Sequence, residues 1–406
     1  MFGILQLIFF LISPLYALTF GEAIESLDQH KLIQVETELI NTLKSEGDIA
    51  SSWGDPKLSV SAVNFPKDSL DWDNSMMTGL KLGLSQKLSL NGRNRLEKEA
   101  FLELAASQSA KRELLKRKIV KSLWIIEVEN QRALNALSVL HESKRWLESN
   151  LKVSKRLYST GKVPQQAVLE IQIALSKLNV ELASLRFKLK SYPEMRASLL
   201  SRERPIQMTN IPWDHLERWQ SLEAKYDFFE KGLEKKLKAE DLQYQAKKRD
   251  YFPDIEFGVH YTKRNNAFGD FVGASITIPI PTSSTRYSKS AKKLSESKVA
   301  KKRLEEYRLG LPHLLRKIEF EIQDHIEQLR IRENEILKYA KSSRDIVAKS
   351  YSRGGASYKE LLDSHLQYQN EKFGVIKARA SLLSKKINYI FTKGSALYPK
   401  KENRND

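Results

Sequence analysis

Two carboxylates, Glu360 and Asp363, are the residues of this 406-residue chain whose types and spacing come closest to a chemical function. Three positions separate them, so on a helix both side chains project from one face and bring two negative charges together. An ordinary solvated helix face would carry the same residues without any function. Their meaning therefore depends on the elements that position them.

The other reactive residue types predict no catalytic, metal or cofactor site. Cysteine is absent, which excludes disulfides, thiolate ligands and a lipid-modified N-terminal cysteine. The sequence has no Gly-rich phosphate loop, no nucleophile elbow and no His-Glu-x-x-His motif, so an enzyme is not predicted. No two histidines lie at ligand spacing on a helix, and each is taken as an ordinary residue. The seven are His30, His141, His215, His260, His313, His325 and His365.

The charge pattern is that of a solvated helical protein. The formal charge is +18, yet Lys and Arg are spread along the chain beside Glu and do not form the clustered patch of a nucleic-acid binder. Anionic lipid headgroups are a secondary attraction for such a charge. With 41% hydrophobic and 29% charged residues, long solvated helices are expected in place of one thick core.

The N-terminal segment predicts export. Residues 1–16 are almost purely apolar, and Ala17 offers the small residue that signal peptidase requires. We predict a signal peptide at 1–17, with an uncleaved anchor as the alternative because the segment lacks Lys and Arg. No later window reaches the roughly 18 to 20 uncharged apolar residues of a spanning helix, so any membrane crossing would need strands.

The chain is internally duplicated. Residues 55–60 (DPKLSV) recur in outline as 252–257 (FPDIEF), and 156–161 (RLYSTG) recur as 349–354 (KSYSRG), in both cases about 195 residues later. We therefore predict a first repeat at 18–200 and a second at 201–392. The polar tail 393–406 has little to bury and is predicted to be disordered.

Each repeat contains two segments in which apolar and polar residues alternate. They predict strands at about 57–66, 78–90, 254–263 and 271–281. Their length and alternation fit transmembrane barrel strands, but a soluble, half-buried sheet alternates in the same way. Two strand pairs so far apart in sequence cannot close a barrel within one chain, so they need partner chains or form a small sheet.

Apolar residues at alternating spacings of three and four predict coiled-coil helices, one antiparallel pair in each repeat. The predicted helices span about 95–157, 165–200, 287–351 and 358–392, with shorter ones at about 22–46 and 214–250. If it is continuous, the first long helix would extend roughly 90 Å. Pro312 should kink the third long helix or divide it in two.

This order of elements resembles the outer membrane efflux protein family typified by TolC. Residues 18–24 (LTFGEAI) are similar to the family's usual opening, and 251–255 (YFPDI) are similar to its entry into the second strand pair. The turns at 158–161 and 351–354 resemble its periplasmic tips. The resemblance implies an α+β membrane protein in which three protomers give four strands each to one β-barrel, continued by a periplasmic α-helical barrel.

The same resemblance implies a passive outer membrane channel of a tripartite efflux system, located in the outer membrane with its helices in the periplasm. Its partners would be two further copies, a periplasmic adaptor (membrane fusion) protein, an inner membrane pump and outer membrane lipid, without nucleic acid. The tips, represented by Tyr158, Gly161, Tyr351 and Gly354, would meet the adaptor. Glu360 and Asp363 would form a periplasmic gate, since three-fold symmetry turns them into acidic rings that favour cations.

The exported substrate stays open between metal ions, drugs and proteins. Residues 79–95, with Leu84-Ser85-Gln86 and Asn91-Gly92-Arg93, are most similar to the heavy-metal branch of the family. The alternatives are the outer membrane channel of a type I protein secretion system and a periplasmic coiled-coil scaffold whose strands form a soluble sheet.

Overall fold

The computed structural model describes residues 16–72, 75–264, 269–280 and 284–399. The strands are β1 (Tyr16–Thr19), β2 (Lys57–Val63), β3 (Gly79–Leu88), β4 (Ile206–Thr209), β5 (Ile255–Arg264) and β6 (Phe271–Thr277). The helices are α1 (Phe20–Glu25), α2 (Lys31–Ser51), α3 (Arg93–Ser159), α4 (Gln165–Leu199), α5 (Asp214–Glu217), α6 (Phe228–Arg249), α7 (Ser284–Ile331), α8 (Leu337–Ser352) and α9 (Tyr358–Thr392). A 3₁₀ turn (Ser26–Gln29) precedes α2, and a π-helical turn (Arg332–Ile336) joins α7 to α8.

The chain packs as two compact units, and each unit takes segments from both sequence repeats. One unit comprises Val35–Glu113 and Phe228–Leu309 and holds the four long strands. The other comprises the described parts of Met1–Gln34, Leu114–Asp227 and Gly310–Asp406 and is mainly helical. The repeats are thus units of sequence, whereas the compact units arise because the strands of both repeats share one sheet.

That sheet is antiparallel in the order β2-β3-β5-β6, so β3 of the first repeat pairs with β5 of the second. Pairing continues straight across all four strands. One row joins Val60, Leu82, Tyr261 and Val272. Since strand side chains alternate between faces, the neighbouring row lies on the other face.

The core of the helical unit is built around Trp124 of α3. Its ring lies 4.6 Å from the ring of Phe20 and 5.6 Å from that of Trp213, measured between centroids. Its Nε1–H donates to the carbonyl of Leu397 at 2.8 Å. A buried tryptophan with its one donor satisfied fixes the packing of several chain segments at once.

The C-terminal tail corrects one prediction. Residues 393–399 were expected to be disordered, but the Arg117 guanidinium donates to the carbonyl of Ser395 at 2.8 Å, and Leu397 is buried. The tail is ordered because its few apolar residues find partners in the core that sequence distance conceals. Residues 400–406 lie outside the described residues.

Three helix predictions were wrong in detail. The helix expected at 214–250 is interrupted between α5 and α6, where Ala224 forms a bridge with Ser395 and the chain runs extended. The helix expected at 22–46 is divided by the 3₁₀ turn before α2. Pro312 does not divide the third long helix, because α7 continues through it, and regular α-helix gives way to the π-helical turn only at Arg332–Ile336.

Three of the predicted strands are shorter than expected. β3 covers Gly79–Leu88, where 78–90 was predicted. β2 ends at Val63 because Asn64 takes a left-handed conformation, with φ of 58°. β6 ends at Thr277, two residues before Pro279, which has no N–H for a sheet ladder.

Strands β1 and β4 were not predicted; they pair in parallel over four residues each. Of the predicted signal peptide, residues 1–15 lie outside the described residues. Tyr16 and Ala17 are the first residues of β1, where Ala17 pairs with Gln207.

Among the helices that the structure describes, none has the length and apolar content needed to cross a membrane.

Candidate functional site

One face of the four-stranded sheet is apolar and exposed. It carries the row through Val60, Leu82, Tyr261 and Val272, and all four side chains are exposed. Further exposed apolar residues on the same strands are Leu58, Leu80, Leu84, Phe257, Val259 and Ile276. A soluble monomer rarely leaves so large a contiguous apolar surface in water, so this face is expected to meet lipid or protein.

The opposite face of the sheet is small and polar. Its central row joins Ser59, Gly83, His260 and Gly273. A Cβ at position 83 would lie 2.7 Å from the Ser59 hydroxyl oxygen, so a larger residue there would need the Ser59 side chain to rotate away. The sheet therefore separates an apolar environment from a polar one.

Both lateral edges of the sheet are open. Among the described residues β2 pairs only with β3, and β6 pairs only with β5. Each outer strand consequently presents a row of unpaired backbone N–H and C=O groups. Such edges are tolerable in water but costly in lipid, where they must pair with another strand.

The two predicted tips are helix ends of the same construction. Gly161 follows α3 with φ of 71°, and Gly354 follows α8 with φ of 83°. Left-handed φ values suit glycine at the end of a helix. A Cβ at either position would meet nothing within 4 Å, so glycine is needed there for its backbone conformation.

The tips meet, but their tyrosines differ. The Tyr351 side chain is fully buried, and its hydroxyl forms a 2.6 Å hydrogen bond with the Ser154 hydroxyl of α3. Leu157 and Leu361 pack in the same cluster, which places both tips at one level. Tyr158 is 47% exposed. The structure thus makes Tyr351 a packing residue and leaves Tyr158 available at the surface.

The two carboxylates that opened the sequence analysis have different local roles. The Glu360 carboxylate accepts hydrogen bonds from the backbone N–H of Ser357 at 2.7 Å and from its hydroxyl at 2.8 Å. Together with the 3.2 Å bond from the Glu360 N–H to the Ser357 hydroxyl, this is a capping box at the start of α9. These hydrogen bonds, first the backbone one and then the hydroxyl one, lower the pKa of Glu360, so it stays ionised.

Asp363 stands one turn further along α9 and is exposed. It borders a groove of about 390 Å³ between α4 and α9 that Glu170, Lys177 and Glu181 also line. Within the described residues no hydrogen bond or ion pair is formed by its carboxylate. The structure places it on an open surface beside the acidic Glu170 and Glu181 and the basic Lys177 and Lys359.

Sequence reasoning missed His365, which also borders this groove. Its ring stacks on Trp146 of α3 with 3.9 Å between centroids and 3° between planes, and it is only 2% exposed. Neither ring nitrogen has a hydrogen-bond partner among the residues that the structure describes. Burial, reinforced by the nearby Arg344 cation, lowers its pKa to about 4, while Glu142 opposes the shift. The available signal was the three-four spacing that links Leu361, His365 and Tyr368.

The fold matches solved structures along nearly the whole chain. The outer membrane protein VceC from Vibrio cholerae is 14% identical and aligns over 93% of this chain and 97% of its own, with a TM-score of 0.73. CusC is 12% identical over 93% and 92%, with a TM-score of 0.77. The open MtrE outer membrane channel from Neisseria gonorrhoeae is 14% identical over 93% and 89%, with a TM-score of 0.70.

No protein-family model and no curated protein matches the sequence. At identities this low, structural similarity establishes the fold. It confirms the predicted α+β class, in which a four-stranded sheet is combined with long paired helices.

Proposed function

We propose that this protein is a trimeric outer membrane channel, a passive conduit in a tripartite efflux system. The sheet is the observation that carries the proposal, because its apolar face suits lipid while its polar face suits an aqueous path. Its open edges then require closure: β2 of one copy pairs with β6 of the next, so that three copies give a barrel of twelve strands. This arrangement leaves no backbone group unpaired in the bilayer.

The helical unit supplies a second surface for the same assembly. Ile173, Val180 and Phe187 form an exposed apolar stripe on α4, on the side opposite its buried residues. Tyr339 and Ile346 are exposed at heptad spacing on α8. A ring of identical copies needs two different edges that fit one another, and these two stripes provide them.

The registers of the two stripes agree. Because the tips lie at one level, height can be counted from the helix ends at 1.5 Å per residue. Ile173 then lies about 12 Å above its tip and Ile346 about 9 Å, while Val180 and Tyr339 lie at about 22 Å and 20 Å. In the proposed trimer each α4 residue faces the α8 residue of similar height in the next copy.

The remaining roles follow from the same assembly. At the tips, Tyr158, Gly161 and Gly354 would contact a periplasmic adaptor that joins the channel to an inner membrane pump. Tyr351, predicted to be part of the same contact, is buried and would instead hold the tips in place. Three copies of Glu360 and Asp363 would surround the tunnel axis as an acidic gate. The pump would supply the energy and select the substrate.

Disulfide crosslinking tests the trimer directly, since the chain has no cysteine of its own. Oxidation of the double variant Ile173→Cys/Ile346→Cys should give covalently linked trimers on a non-reducing gel, because a disulfide needs Cα atoms within about 7 Å. The matched control Ile173→Cys/Tyr339→Cys carries the same number of cysteines at heights that differ by about 8 Å, and it should stay largely uncrosslinked.

Mixing differently tagged Ile173→Cys and Ile346→Cys copies shows whether the bond joins two chains. A membrane-bound trimer that crosslinks only in the control pair would contradict the proposed register of α4 and α8, and one that crosslinks in neither pair would contradict their contact. A soluble monomer would contradict the channel itself and favour the periplasmic scaffold.

A further inference from the structure

At one end of the sheet the strands connect to the helices, and the connecting segments lie at about the same level. Three fully described junctions meet there: 52–56 before β2, 89–92 after β3 and 250–254 before β5. Hydrogen bonds tie these junctions to one another and to the starts of α3 and α7.

Three contacts carry this linkage. The Arg93 guanidinium at the start of α3 donates to the Asp250 carboxylate at 2.9 Å. The Arg286 guanidinium at the start of α7 donates to the Asp250 carbonyl at 2.8 Å. The Asn94 amide donates to the carbonyl of Ser52 at 3.0 Å. With the bonds from the Asn91 amide to the carbonyls of Arg249 and Phe252, they link the junctions 52–56, 89–92 and 250–254 to one another and to the starts of α3 and α7.

Large aromatic side chains point outward from this level. Trp53 and Phe252 belong to two of these junctions and Tyr287 to the first turn of α7, and each is more than half exposed. Exposed aromatic rings with an apolar body and, for Trp and Tyr, one polar atom are typical of the boundary between hydrocarbon and water.

The same level carries uncompensated positive charge. Lys248, Arg249 and Lys289 are exposed, and none has a carboxylate partner among the described residues. The Arg249 guanidinium donates to the carbonyl of Asn91, which leaves its charge unbalanced. We call the six residues the helix-side rim: Trp53, Lys248, Arg249, Phe252, Tyr287 and Lys289.

The junction carboxylates do not cancel this charge. Asp254 is buried and bonded to Lys87 and Arg93, at 3.0 Å and 3.2 Å. Asp250 is also occupied by Arg93. Among the described junction residues, Asp55 has the one exposed carboxylate. Three cations without a carboxylate partner, Lys248, Arg249 and Lys289, therefore share this level with a single exposed anion.

The other end of the sheet differs. Lys263 forms a 3.2 Å ion pair with Asp270, whose second carboxylate oxygen accepts the backbone N–H of Arg264 at 3.0 Å. Lys67 is followed in the sequence by the exposed carboxylates Asp68 and Asp71. Unpaired positive charge is thus concentrated at the end of the sheet that joins the helices.

We propose that the helix-side rim binds the phosphate headgroups of anionic phospholipids in the bilayer leaflet that faces the helices. The aromatic residues place this level at the headgroups, and three cations per copy complement their negative charge. The inference rests on the proposed channel function, because it requires the sheet to lie in a membrane.

Lipid retention by the full-length protein tests the rim. The wild-type protein is inserted into vesicles of phosphatidylethanolamine and phosphatidylglycerol, extracted gently and weighed by native mass spectrometry with its bound lipid. Phosphatidylglycerol should be enriched about fivefold over the vesicle composition. The enrichment should fall when salt rises from about 50 to about 500 mM, since screening weakens exposed charges.

Charge neutralisation provides the matched comparison. Lys248→Gln/Arg249→Gln/Lys289→Gln should reduce the retained lipid to the vesicle composition. The control Lys298→Gln/Lys301→Gln/Arg303→Gln removes the same charge from exposed positions on α7, further from the sheet, and should retain the wild-type enrichment.

Equal loss in both triple variants would overturn the rim, because it would reflect net charge alone. An inserted wild-type protein without enrichment would also overturn it and leave the channel proposal intact. A wild-type protein that does not float with vesicles would overturn both.

Discussion

The buried ion pair between Glu127 of α3 and Arg196 in the last turn of α4 should make the helical unit sensitive to the loss of one of its two charges, but not to the loss of both. The Arg196 Nε lies 2.5 Å from Glu127 Oε1, and its Nη2 lies 2.8 Å from Oε2. The side chains are 0% and 4% exposed for Glu127 and Arg196. Arg196 also reaches the carbonyl of Ile206, where β4 begins, at 3.4 Å.

Glu127→Ala should lower the free energy of unfolding by about 3 to 5 kcal/mol, the cost of leaving one charge of a buried pair uncompensated. The guanidinium would keep only its long bond to Ile206, and water cannot reach it. Glu127→Leu/Arg196→Met removes both charges and should recover most of the loss, since apolar replacements of a whole buried pair are often neutral.

Urea unfolding of the detergent-solubilised protein, followed by the fluorescence of its six tryptophans, measures these changes. The chain offers a matched control in the Glu327 and Arg330 pair, which has the same two-bond geometry at 3.0 and 2.6 Å but is more than half exposed. Glu327→Ala should be indistinguishable from wild type. If Glu127→Ala is no worse than this control, or if the double variant is as unstable as the single one, the reasoning is refuted.

Two further predictions concern the groove beside the tips. Because the pKa of His365 is about 4 when folded and near 6.5 when unfolded, the unfolded state gains the proton first, and stability should fall as pH drops from 6.5 to 4. The loss should approach about 3 kcal/mol, and His365→Phe, which can still stack on Trp146, should lack that part of the pH dependence in parallel unfolding curves. In planar bilayers, Glu360→Gln/Asp363→Asn should weaken block by multivalent cations while keeping the Ser357 cap, because Gln also serves in a capping box. Unchanged block would remove both residues from the gate.

The pattern of apolar and polar residues predicted those elements in which one face is apolar and the other polar. The sheet strands were recognisable because one side of each is apolar, and the long helices because their seams repeat. The repeat also located both tips, since Gly161 and Gly354 lie in corresponding turns. In each case the determining residues are close in sequence.

The rest depends on contacts between distant segments. Four-residue strands such as β1 and β4 have no pattern of their own, and they exist because the chain brings them side by side. The order of residues 393–399 depends on Trp124, about 270 positions away in sequence. The Ser357 to Glu360 capping box, by contrast, was readable from the sequence, and its detection would have separated the roles of Glu360 and Asp363 at the outset.

The two tips have similar backbone conformations but different side-chain contacts. Both end in a left-handed glycine, but α9 begins with the Ser357 capping box, whereas α4 begins at Pro164 without a side-chain cap. Tyr351 is locked to Ser154, while its counterpart Tyr158 is exposed. The second repeat also contains the π-helical turn, a feature that often marks functional segments of helices. The second repeat thus holds the tip ends of α8 and α9 in a defined packing, whereas the first leaves Tyr158 on the surface.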